Sequence, residues 1–369
     1  MNVRDRLLNT IQGKRADRVP INLDGFLYNN REQIDKLSDA GRREVAHRIF
    51  KHQAVFVEWP SCINRYLITP GQFIKHTRQK DKDGNVTLTA EINTPKGKLT
   101  AVTGQNALSN TTWTIKYPVE SMEDIEKIRS VPWELPKGLA PPDLSKLPDD
   151  FRERRILQTR ISSPFVCVAG MMPYEDFLGL CATDLPLVEE LTELCKQRTL
   201  DVLDVLLREK NIDYVWVGGS EWVTPPMASP RIYEALVQEQ EREVIAHIHE
   251  AGAVCHVHCH GNVRRCLEMV VDRGADFFEP VEPPPDGDIE FAEAKAVAAG
   301  RMTLGGNLEV RILENESADV VEEATHKCFE GSRERMVLKA TEAPMKTMSP
   351  ETVANYHRVI DIWEELSSF

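Results

Sequence analysis

From Ile156 to the end, the chain repeats one pattern: a short apolar run followed by a longer amphipathic one. The apolar runs begin near residues 156, 213, 253, 276, 302 and 335. They have strand length, whereas the segments at 173–210, 230–251, 262–273, 291–300, 318–330 and 350–367 have helix length and helix-type spacing. Gly252 and Gly300 end two of these helices. Such alternation predicts parallel strands, because a parallel neighbour is reached only through a crossover, usually a helix.

Two further strands precede this region, "RVPINLDG" from about residue 18 and "AVFVEWP" from about residue 54. Ahead of them, Val3, Leu7, Leu8 and Ile11 form one helical stripe that Gly13 ends, and residues 31–52 read as charged helix. The total of eight βα units predicts an α/β fold of the (β/α)8 TIM-barrel type, with residues 1–369 as a single domain. A doubly wound open sheet is the alternative, but no GxGxxG or GxxxxGK[ST] loop follows any strand. After the second strand, residues 73–116 change character. "NVTLTAEINTPKGKLTAVTG" is rich in Thr and Val and is punctuated by "KDG" and "PKG", which predicts an inserted β-hairpin region. The Pro-rich stretch at 132–147 reads as a surface connection.

A formal charge of −13 argues against a nucleic-acid binder, which needs a basic footprint. No apolar run approaches the roughly 20 residues that span a bilayer. The N-terminus has no signal-peptide core, so a cytoplasmic chain is expected, with its eight cysteines as reduced thiols or ligands.

In a parallel barrel the chemistry collects at the C-terminal strand ends. Those ends carry Asp24; Glu58; Arg160 with Ser162 and Ser163; Glu221; His258 with His260; Glu279 and Glu282; Asn307 with Glu309; and Thr341 with Glu342. The densest stretch is "AVCHVHCHGN", Ala253 to Asn262. Strand alternation puts His256, His258 and His260 on one face and Cys255, Val257 and Cys259 on the other. The histidines then point into the barrel, and the cysteines face the helices as small hydrophobes. His258 and His260 stand close enough to share an ion, and a catalytic zinc takes three N, O or S ligands and keeps one position open. His256 lies deeper and reads as a structural histidine. The alternative is a hydrogen-bonded polar pocket without metal.

Glu221, in "VGGSEW", is the first choice for a third ligand, and Glu282, in the Pro-stiffened "EPVEPPPDGD", is the next. Glu221, Glu282, Arg160 and Asn307 are the residues expected to carry catalysis, and Asp24, Trp222 and Glu342 those expected to meet substrate. Trp216 lies inside a strand and reads as packing, and Asp288 reads as the cap of the helix that follows. No GxSxG elbow and no HExxH helix occur. A glycosidase-type carboxylate pair, Glu221 with Glu282, stays open.

The stretches "RDRLLNTIQGKRADRVPI", "GGSEWVTPPMASP", "HVHCHGNVRRCLEMVVDRGADFFEPVEPPPDGD", "LGGNLE" and "MSPETVANYHRVID" together resemble the uroporphyrinogen decarboxylase superfamily nearly end to end. The resemblance implies an (α/β)8 barrel. The haem-pathway decarboxylases of that superfamily carry an Arg-rich N-terminal motif, R-Q-A-G-R, where this chain has "INLDGFLYNNREQ", so that activity is not expected. The corrinoid-dependent methyltransferases hold zinc with an H-x-C-G strand end and a later Cys. Here "HCHG" puts His258 on the family His and His260 on the family Cys, and "LKATEAP" offers Thr341 and Glu342 in place of the last Cys.

A site of His258, His260 and a carboxylate, Glu221 or Glu282, would make a harder ion than thiolates do. The resemblance then implies a zinc-dependent methyltransferase that demethylates a methyl ether or similar small-molecule donor and passes the methyl to a corrinoid carried by a partner protein. A metal-free decarboxylase using Arg160 and a catalytically silent binding barrel are the alternatives. A homodimer is compatible with the chain.

Overall fold

The computed structural model describes residues 1–61, 66–106 and 112–369. Twelve strands form two sheets among them. In chain order they are β1 (Ile21–Asn22), β2 (Val55–Glu58), β3 (Ile74–Lys80), β4 (Val86–Thr94), β5 (Gly97–Gln105), β6 (Thr112–Lys116), β7 (Arg155–Ser162), β8 (Tyr214–Gly218), β9 (Val254–His258), β10 (Phe277–Val281), β11 (Thr303–Leu308) and β12 (Met336–Ala340). The eight strands expected from the alternation pair, all parallel, in the order β1-β12-β11-β10-β9-β8-β7-β2. The insertion makes a separate antiparallel sheet, β3-β4-β5-β6, and residues 107–111 of that expected region lie outside the described residues.

Inward and outward side chains alternate, as the period of two requires. Outward residues such as Val215, Cys255, Val257, Phe278 and Leu338 join the core shared with the helices. Inward residues Ala54, Ile156, Tyr214, Val254, Phe277 and Val337 form a second cluster with Leu7 and Ile11 of helix Val3–Ile11. That helix therefore plugs the N-terminal end of the barrel with the stripe its sequence shows. Asn2 caps it by accepting from the Asp5 N–H at 2.7 Å.

The sheet curls until β1 and β2 face each other, yet no backbone ladder joins them among the described residues. Side chains bridge the seam. Gln53, fully buried, accepts from Leu23 N at 2.9 Å and donates to Phe26 O at 2.8 Å, and Asn22 Nδ2 donates to Ala54 O at 3.4 Å.

Three local expectations change. The 31–52 region is two helices, Arg31–Asp35 and Ala40–Ile49, each with its own side-chain cap from Asn30 or Asp39. Only Leu267–Asp272 of the 262–273 region is α-helical. Asp288 does not cap the helix Phe291–Ala298, whose capping position is Glu290; it accepts from the Arg264 N–H at 2.9 Å and so ties two rim loops together.

Replacing Gln53 by Leu strands the buried Leu23 N–H, worth about 1–3 kcal/mol, and removes one of two donors to Phe26 O, which still accepts from Tyr28 N at 3.1 Å. Denaturant unfolding should therefore show Gln53→Leu less stable than wild type by about 1–3 kcal/mol.

Candidate functional site

The upper half of the barrel is polar because inward positions on six strands carry charged or hydrogen-bonding groups. These residues line a cavity of about 380 Å³ that includes Asp24, Glu58, Arg160, Trp216, His256, His258, Glu279 and Lys339. Register sets who meets whom. His258 lies beside Gly218 of β8 and Glu279 of β10, and Lys339 lies beside Asn22 of β1 and Asn307 of β11. Two glycines make room. A Cβ at Gly218 would stand 2.1 Å from the Trp216 ring, and one at Gly305 would stand 2.6 Å from the Phe277 ring and 2.9 Å from Glu279 Cβ. With hydrogen at Gly218, the Trp216 indole lies against the His258 imidazole, ring centres 5.1 Å apart.

Glu279 is the electrostatic centre. It is 3% exposed, and its Oε1 lies 2.7 Å from His258 Nδ1 and 2.9 Å from His256 Nε2. Its Oε2 is 3.5 Å from Lys339 Nζ, which also pairs with Asp24. Burial disfavours the Glu279 charge, but the Lys339 ammonium and the contacts from His258 and His256, the last through its hydrogen bond, outweigh it and hold the carboxyl well below the usual range. Burial acts the other way on His256 and brings its pKa down to about 4, so this imidazole is neutral at pH 7. Lys339 is raised: burial opposes its charge, and the carboxylates of Asp24 and Glu279 more than restore it.

A second histidine–carboxylate pair sits one step nearer the mouth. Glu282 accepts from His260 Nδ1 at 2.9 Å and from the Gly261 N–H at 2.6 Å. Burial lowers the His260 pKa, but the bond to Glu282 and the charges of Glu282, Glu279 and Glu221 leave it raised. The His258 and His260 ring centres are 4.7 Å apart. Among the described residues each ring bonds its own carboxylate at Nδ1, which leaves both Nε2 atoms for another partner. Glu221 follows β8 on the turn Ser220–Val223, near enough for its charge to act on His260. Its Oε2 is buried and has no hydrogen-bond partner among the described residues.

The structure thus gathers most of the expected rim, but in a particular way. His258 and His260 share a face and stand close. His258, His260 and Glu221 do not make a set whose ligand atoms all lie within 4.8 Å of one another; among the described residues, the trio that does is His256, His258 and Glu279. His256, expected to be only structural, therefore joins the polar cluster. Arg160 lies over Trp216 at 5.0 Å and pairs with Glu58 at 3.1 Å, so Trp216 walls the cavity as well as packing. Asp24 lines the cavity through Lys339. Asn307 is buried outside the cavity lining and takes a long contact, 3.6 Å, from Cys328 Sγ. Trp222 packs edge-on against Tyr174 at 5.9 Å, and Glu342 is exposed; neither lines the cavity.

Lys339 was not singled out in the sequence. Its signal is a lysine at an inward position of an otherwise apolar strand, two residues after Val337. Glu309, at the end of β11, is 4% exposed. Burial first, then a hydrogen bond and charge from Asp286, push its carboxyl up to about 8.

Two stability outcomes follow from these charges. Lys339→Met leaves Glu279 without its cation and should cost about 3–5 kcal/mol in denaturant unfolding, while Lys339→Met with Glu279→Gln should recover much of that loss. Glu309 binds its proton more tightly folded than unfolded, so its contribution is full below about 4.5 and is lost as pH rises through about 8. Glu309→Gln should therefore raise Tm relative to wild type more at pH 8 than at pH 5.

Residues 102–359 match the family described as uroporphyrinogen decarboxylase (URO-D). Among solved structures, a methyltransferase from Methanosarcina mazei superposes with TM-score 0.59 at 13% identity, covering 99% of each chain. A B12-independent methionine synthase from Shewanella sp. W3-18-1, in complex with selenomethionine, gives TM-score 0.38 at 10% identity over 82% of this chain and 78% of that one. No curated protein matches the sequence.

Proposed function

Because the chain belongs to the uroporphyrinogen decarboxylase family, we propose that it is a zinc-dependent methyltransferase that takes the methyl group of a small methyl ether or similar donor and delivers it to a corrinoid on a separate protein. The observation that carries this reading is the paired arrangement at the mouth. Two imidazoles 4.7 Å apart each have Nδ1 held by a buried carboxylate, and Nε2 remains for an ion. That is the way proteins fix the tautomer and ring angle of histidine ligands. His258 and His260 would hold the metal, and Glu221, with its partnerless buried oxygen, would complete the set by turning toward them.

Bound there, zinc would act as a Lewis acid on the oxygen that leaves the methyl group. The protein's own residues do the rest. Glu279 and Glu282 keep the ring protons at Nδ1. Trp216 and Phe56 give the donor an apolar wall, and the plug from Leu7 closes the floor to water. A metal-free decarboxylase would need a cation free to take a substrate carboxylate. Arg160 is paired to Glu58, and Lys339 to Asp24 and Glu279.

The tighter trio, His256, His258 and Glu279, is the second place an ion could sit. Lys339 weighs against it. An ammonium about 5 Å from a cation costs roughly 3 kcal/mol per unit charge at an effective dielectric near 20. Lys339 already supplies the counter-charge for Glu279.

Elemental analysis of the purified protein should find one zinc per chain. His258→Ala and His260→Ala should lose it, and His256→Ala should keep it. The reverse pattern for His256 and His260 would move the ion to the deeper trio. With methyl ether donors and reduced cobalamin, methylcobalamin should form in wild type and fall by at least 100-fold in His258→Ala. Full transfer by His258→Ala would end the metal mechanism, and a zinc-free protein without transfer would end the methyltransferase reading.

A further inference from the structure

A second cavity, of about 600 Å³, opens at the opposite end of the barrel from the strand ends, where β11 and β12 begin. Its lining brings together Lys14, Arg15, Lys295 and Arg335 against one acidic side chain, Glu334. In a chain whose formal charge is −13, four basic side chains to one acidic side chain around a single cavity is a local reversal of sign.

Among the described residues, no carboxylate pairs with either of the two inner cations. Arg335 donates from Nη1 to Gly300 O at 2.9 Å, from Nη2 to Ile11 O at 3.0 Å and from Nε to Thr303 Oγ1 at 3.3 Å. Lys295 Nζ donates to Cys328 O at 2.8 Å and Glu330 O at 2.9 Å, with Met336 Sδ at 3.4 Å. These bonds fix both heads in place and satisfy helix-end carbonyls without cancelling their charge, which only the more distant carboxylates of Glu330 and Asp276 answer in part. Burial shows the cost: it brings the Lys295 pKa down to about 8. Arg335 also has left-handed backbone, φ +54°, an uncommon conformation for a side chain of its size.

The rest of the wall is apolar. Ala16, Ala298, Met302 and Leu304 are each less than a tenth exposed and line the same space. A simple inorganic anion would use the charges and leave most of this volume and wall unfilled. We propose that this cavity binds an organic anion with an apolar body, seated with its charged group toward Lys295 and Arg335 and with Lys14 and Arg15 at the entrance. The site is distinct from the one at the strand ends and does not depend on the function assigned there.

Anilinonaphthalene sulfonate, an organic anion with an apolar body, is the probe. Fluorescence titration of the folded, full-length protein should show one saturable site, weakened at least 10-fold by Lys14→Glu with Arg15→Glu, a change confined to exposed side chains. Lys295→Met should weaken it similarly; if that variant fails to fold, the entrance pair decides alone. Trp216→Ala, at the other cavity, should leave the affinity unchanged. The proposal is overturned if no saturable binding occurs, if the entrance charge reversal has no effect, or if Trp216→Ala is the change that abolishes binding.

Discussion

A single buried carboxylate organises the upper barrel. Glu279 sits at an inward position of β10, shielded from water, and a lone charge there would be costly. Its surroundings answer that cost from three strands. β9 supplies two imidazoles to one oxygen, β12 brings Lys339 to the other, and the turn after β1 supplies Asp24 to balance Lys339. The network sets the state of each member. His256 stays neutral, Lys339 stays charged, and His258 has its Nδ1 committed. The chemistry proposed for the mouth rests on that commitment, since it decides which histidine nitrogen is left to act.

The lower barrel solves the opposite problem. Its inward residues are hydrocarbon and aromatic, and a helix from the N-terminus covers them. Dry floor and charged roof are stacked along the same strands, two residues apart: Val254 below His256, Tyr214 below Trp216, Phe277 below Glu279, Val337 below Lys339. The one place where backbone pairing stops, between β1 and β2, is repaired by Gln53 and Asn22, so the curl of the sheet survives a missing ladder.

The two ends of the barrel also differ in how charge is handled. At the strand ends, carboxylates and cations are matched within a few ångströms. At the strand beginnings, Lys295 and Arg335 are held by neutral carbonyls. Neutral dipoles fix a cation's position without cancelling its charge, and this is why the strand-end cavity has each cation paired with a carboxylate while the other cavity is left positive.

The eight strands, their parallel pairing and the inserted antiparallel sheet were legible from the alternation after Ile156, the two apolar runs near residues 18 and 54 and the Thr-rich hairpins, because local periodicity reports which faces are buried. The shared face of His256, His258 and His260 was legible for the same reason. Partners across strands were not. Nothing local to "HVHCHG" says that Glu279 takes His258 while Glu282 takes His260, or that Lys339, more than 50 residues from either carboxylate, neutralises the first of them. The sequence by itself determined the architecture and the residue types at the mouth. Only the tertiary structure decided which charges meet, because strand register and the curl of the sheet set those distances, and a one-dimensional pattern carries neither.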